Sequence, residues 1–138
     1  MKRTVATLTL LGTLLALPAF SDEPFAAPYG TWLAEDIGTA GVVDTVQTTL
    51  NLSDDGRATG SGGCNRFTGT VTVTETTIEF GPLAGTKMAC PEAVMNQENK
   101  FHNALSQAAG WQLTAADKLE LTDETGKTLV VFARHTSQ

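Results

Sequence analysis

The chain has 138 residues, with 15 acidic and 9 basic side chains and a net charge of −6. That excess of acid argues against nucleic acids and anionic lipid surfaces as partners, since both are bound by neutralising phosphate with Lys and Arg. A chain of this length builds one core and is too short for two ordinary domains.

In chain order, Lys2 and Arg3 precede an apolar run over residues 5–17, followed by Pro18 and then Ala19-Phe20-Ser21. A charged start, an apolar centre and small residues before a cut are the layout of a secretory signal. The run of 13 residues is shorter than the roughly 17–25 that cross a bilayer as a helix. No second run of that length follows, so the mature chain is expected to have no transmembrane segment. Cleavage is expected near Ser21, giving a periplasmic or secreted product. No Cys lies near the cut, so no lipid anchor is expected. Removing residues 1–21 leaves 7 basic against 15 acidic residues, a charge of −8. In an oxidising compartment an even cysteine count favours a disulfide, here Cys64–Cys90, 26 positions apart. Closing that loop contributes roughly 3–4 kcal/mol, a large share of the ~5–15 kcal/mol total of a small domain. Free buried thiols or a redox pair are the competing readings, but there is no Cys-x-x-Cys spacing and no flanking His.

Residues 22–28 are acidic and proline-bearing and read as a leader into a domain over 29–135. Strands are expected at 30–34, with Trp32 buried, and at 46–52, whose alternation puts Val46, Thr48, Leu50 and Leu52 on one face. Asp54-Asp55-Gly56-Arg57 is a hairpin turn. Further strands are expected within 65–73, at 77–80 and, in a short form, within 83–88. The period then changes. Pro91 suits a first helical turn, and Val94, Phe101, Leu105 and Ala108 form a helical stripe, so a helix is expected over about 91–109. Gly110 ends it, and period-two strands resume at 111–113, 118–121 and 128–133. One helix among seven or eight short strands cannot make a doubly wound α/β fold. The expectation is a mainly β (α+β) protein: a strongly curved antiparallel sheet or partly open barrel covered by the helix, with closure hiding the edge strands.

The segment from Gly60 to Gly69 (GSGGCNRFTG) has no Lys and leads into a strand, so it is neither a phosphate loop nor a dinucleotide fingerprint. Its small residues fit a bend or close backbone approach. Ser61 lacks the Gly-x-Ser-x-Gly elbow, and a serine nucleophile needs a base, for which only His102 and His135 exist. Glu98 and His102, four apart, share a helix face; as a metal or acid–base pair they lack His-Glu-x-x-His spacing and a third ligand. No catalytic residue, metal site or cofactor is assigned. Glu98 falls at the rim of the buried stripe, where a carboxylate needs a donor, and Arg66 and Lys87, each near a cysteine, are the expected partners in a structural polar network. Asn51-Leu52-Ser53 matches a glycosylation sequon, common by chance.

Gly30-Thr31-Trp32, the stretch from Gly60 to Gly69 and the stretch from Gly81 to Pro91 (GPLAGTKMACP) resemble the META domain, or HslJ-like, family. So do the Glu98-x-x-Phe101-x-x-Ala104-Leu105 helix, Trp111 after it and the closing 126–132 strand. The resemblance covers about residues 29–134. It implies a small antiparallel β-structure with one helix, found in bacterial envelope proteins and linked to heat-shock or stress contexts. It supplies no catalytic residues. Some relatives are lipoproteins, whereas this chain lacks the lipid-bearing Cys. The combined expectation is a monomeric, non-catalytic module of the periplasm, serving stress tolerance or binding a peptide, an apolar ligand or another envelope protein. A weak hydrolase using Ser61 or Glu98/His102 is one alternative. A structural or inhibitory partner of an envelope protein is another.

Overall fold

The computed structural model describes residues 12, 14–19 and 26–136. The charged start of the expected signal, its cut near Ser21 and most of the 22–28 leader lie outside the described residues. Leu14, Leu15 and Leu17 of the apolar run are 99, 91 and 89% exposed, so this part of the run contributes nothing to the core. The last leader residue behaves differently. Pro28 is fully buried, and its carbonyl accepts the Trp32 indole N–H at 2.9 Å, giving the buried ring the partner that a desolvated N–H requires.

Period-two alternation and turn residues give nine antiparallel strands: β1 (Gly30–Ile37), β2 (Thr49–Leu52), β3 (Arg57–Ser61), β4 (Arg66–Val73), β5 (Ile78–Phe80), β6 (Ala84–Gly85), β7 (Gly110–Leu113), β8 (Lys118–Thr122) and β9 (Thr128–Arg134). One helix, α1 (Glu92–Gln107), separates β6 from β7. The strand order is β5-β4-β3-β2-β1-β9-β8-β7, and the two-residue β6 branches from β4. The two ends of this series meet. Thr77 bridges Gly110, the Ile78 N–H donates to the Ala109 carbonyl at 3.1 Å, and the Trp111 N–H donates to the Thr76 carbonyl at 3.3 Å. The sheet is therefore a nearly closed eight-stranded barrel, with mostly β content and a single helix among the described residues.

β1 runs three residues beyond the expected 30–34 because its register against β9 shifts between Ala34 and Asp36. A bulge of this kind bends and twists a strand without ending it. The inward positions fill the barrel: Trp32, Leu50, Leu119, Leu121 and Phe132 have no exposed surface, each contributing about 1.5–3 kcal/mol by burial. From the helix, Phe101 inserts between Phe132 (ring centroids 6.1 Å) and Phe67 (5.9 Å). Arg134 lies over the Trp32 ring at 4.3 Å and pairs with Asp117 through bonds of 2.9 and 3.2 Å. No helix among the described residues is long and apolar enough to cross a membrane.

Candidate functional site

The helix begins at Glu92, with Pro91 at the cap position before it. Val94, Phe101, Leu105 and Ala108 all face the core. The same face carries two polar residues, Gln97 and Glu98, 7 and 5% exposed, and each must find partners inside the protein. Glu98 Oε2 accepts the backbone N–H of Cys64 at 2.9 Å and of Asn65 at 2.6 Å, while Oε1 accepts Asn65 Nδ2 at 2.7 Å. Burial opposes the charge, but these donors outweigh it and hold the carboxyl below its ordinary range. The expected partners Arg66 and Lys87 are not the ones used. The two ion pairs among the described residues are Lys118–Glu35 and Arg134–Asp117. Neutral donors at a fixed distance satisfy a buried carboxylate without desolvating a second charge.

The glycine-rich segment is explained by the same contact. A Cβ on Gly62 would lie 2.5 Å from Glu98 Cγ, and one on Gly60 would lie 2.1 Å from the Thr49 carbonyl oxygen. The loop can therefore drop onto the helix carboxylate and the neighbouring strand only without side chains at these points.

Asn65 is the centre of the network. Its Oδ1 accepts the Met88 N–H at 2.7 Å and the Thr86 hydroxyl at 2.9 Å, and its Nδ2 also donates to the Met88 carbonyl at 3.2 Å. Next to it, Cys64 and Cys90 form a disulfide with their Cα atoms 6.0 Å apart. One turn of helix, the glycine loop and the 86–90 segment are thus fastened together covalently and by hydrogen bonds. Gln97 performs a parallel task. It accepts the Val43 N–H at 2.6 Å and donates to the Thr48 hydroxyl at 3.0 Å, which in turn donates to the Gly62 carbonyl at 2.9 Å. Asn65, Gln97 and Thr48 were not singled out as site residues from sequence. The available signal was a polar pair at positions 97 and 98 within an apolar stripe.

Beside this network lies a surface cleft of about 650 Å³, between the helix at Asn99, His102 and Ser106, the start of β4, and the 80–87 segment. Phe67, Phe80 and Leu83 form its apolar part, and Arg66, Lys87 and His102 its basic part. His102 packs edge-on against Phe67 at 5.3 Å. Burial and the nearby Lys87 lower its pKa, against the opposing pull of Glu98. Glu98 does not line this cleft, and both of its oxygens are engaged in the network. Ser61 lines a separate cleft with Gln47, Thr49 and Thr59, and its hydroxyl accepts the Gly63 N–H at 3.2 Å. The structure therefore does not gather Ser61, Glu98 and His102 around one reacting position. No three His, Cys, Asp or Glu side chains among the described residues cluster as a metal site.

Fold and site together define a small helix-covered antiparallel barrel, its interior packed and a surface cleft of about 650 Å³ beside a disulfide-tied segment. The sequence pattern of the META domain matches residues 25–136, most of the chain, and the protein belongs to the META domain family. Among solved structures, one from Burkholderia xenovorans, determined by NMR, is 27% identical with a TM-score of 0.60, covering 88% of this chain and 100% of that one. A second NMR structure is 22% identical with a TM-score of 0.60, covering 76% of this chain and 88% of the other. A crystal structure of a DUF4847 family protein from Bacteroides vulgatus is 22% identical with a TM-score of 0.56, covering 83 and 97%. The last two are similar in fold alone. No protein of curated function matches the chain.

Proposed function

We propose that this protein is an exported, non-catalytic binding module of the bacterial envelope, contributing to stress tolerance by holding a small ligand or peptide. The observation that carries this reading is the cleft of about 650 Å³, which falls in the ~300–1,000 Å³ range of small-ligand sites. It is built on a segment whose position is fixed by a disulfide and by Asn65. Export is supported by the signal-like residues 1–21, by the exposed Leu14, Leu15 and Leu17, and by the Cys64–Cys90 bond, which persists in oxidising compartments. The test is to express the full chain in a bacterial host, isolate it from the periplasmic fraction, incubate it with envelope extract and weigh it by native mass spectrometry. The expected result is a product lacking about 21 residues that retains an additional mass. A full-length cytoplasmic product overturns export, and a bare mature mass overturns the binding reading.

A further inference from the structure

Charge is distributed unevenly around the cleft. The chain carries 15 acidic residues, yet no Asp or Glu lines this concavity, while Arg66, Lys87 and His102 do. Neither Arg66 nor Lys87 belongs to an ion pair among the described residues, the two pairs formed being Lys118–Glu35 and Arg134–Asp117. Their placement is fixed from below. Arg66 follows Asn65 and Lys87 precedes Met88, and those two neighbours are joined by bonds of 2.7 and 3.2 Å. Two unpaired cations on fixed supports, over an apolar floor of Phe67, Phe80 and Leu83, are complementary to a molecule with an anionic head and an apolar body.

We propose, building on the binding reading above, that the cleft takes a small amphiphilic carboxylate, its head between Arg66 and Lys87 beside His102 and its alkyl or aryl body against Phe67, Phe80 and Leu83. Arg66 at the start of β4 and Lys87 in the segment after β6 anchor the head, and the apolar walls exclude water from the body. An acid-free lining keeps the head from meeting a like charge.

The test uses decanoate, decanol and acetate as probes, titrated into the mature protein and followed by calorimetry and by NMR shifts of the Phe80, Lys87 and His102 signals. Decanoate is expected to bind about tenfold or more tighter than either other probe and to shift those signals. R66Q and K87Q, both at exposed positions, are expected to keep the wild-type melting temperature. Each should weaken decanoate about tenfold without changing decanol. Equal binding of decanoate and decanol, or decanoate binding unaffected by both substitutions, overturns the anionic-head assignment. A neutral molecule retained from envelope extract in the same preparation leaves the broader binding reading standing while removing this one.

Discussion

Replacing Glu98 by Gln removes the negative charge on which two backbone N–H groups and the Asn65 amide converge, and turns one acceptor oxygen into a donor facing donors. Hydrogen bonds to a buried charged group contribute about 1.5–3 kcal/mol each, and losing an acceptor strands its donors. E98Q is expected to cost about 2–3 kcal/mol in chemical denaturation, with Asn65→Ala comparable. The pH dependence has a definite sign. Because the folded carboxyl titrates below its ordinary value of 4.5, its stabilisation is complete above that pH and is lost as pH falls through the lowered folded value. The stability gap between wild type and E98Q should therefore narrow as pH drops below about 4.5; a gap unchanged down to pH 3 contradicts the network. The burial of Glu98 was legible from its place on the stripe of Val94, Phe101 and Leu105. Its partners were not. A search for opposite charges leads to Arg66 and Lys87, whereas the donors are backbone N–H groups, which one-dimensional sequence carries at every residue without distinction.

At the scale of elements, the 86–90 segment is held at both ends of its short path by the Asn65 amide and by the Cys64–Cys90 bond. Substituting both cysteines by Ala should cost about 3 kcal/mol, the loop-closure contribution for a separation of 26 residues, while the hydrogen-bonded contacts keep the segment in place. Denaturant titration of the double variant under reducing and oxidising conditions checks this, since only the wild type should respond to reductant. Gly60→Ala tests the close approach of β3 to β2: a Cβ there meets the Thr49 carbonyl at 2.1 Å, and backbone that cannot yield forces the strands apart. A loss of about 3 kcal/mol or more is expected, and a variant as stable as wild type would show that the pairing at Leu50–Gly60 is looser than described. Most elements were readable in advance, because alternation such as that of Leu50 and Leu52, the Asp-Gly turn and Pro91 are local signals. The two-residue β6 was visible only as a short extended piece. The junction of β5 with β7 was invisible, since Thr77 and Gly110 come together through the curvature of every strand between them.

Across the whole molecule the barrel is two antiparallel meanders sharing β1: β2 to β5 on one side, and β9, β8 and β7 on the other. Their far ends meet at the Thr77–Gly110 bridge and its flanking bonds, a seam much shorter than the β1–β9 ladder. Amide hydrogen exchange should accordingly be fastest at Ile78 and Trp111, whose N–H groups bond across the seam, among the barrel's paired residues and slowest at Trp32 and Phe132; uniform protection around the ring would contradict a weak seam. The β1–β9 ladder, in which Trp32 faces Arg134 and Ile37 faces Val130, has a temporal meaning as well. A polypeptide emerging from the ribosome displays β1 some hundred residues before its mate exists, so the cylinder has no way to shut until translation is nearly finished. Under the export proposed above, in which the chain would be fed as a loose thread through a narrow channel, that delay keeps it pliable for as long as threading takes. Only the arrival of the final strand lets the ring lock.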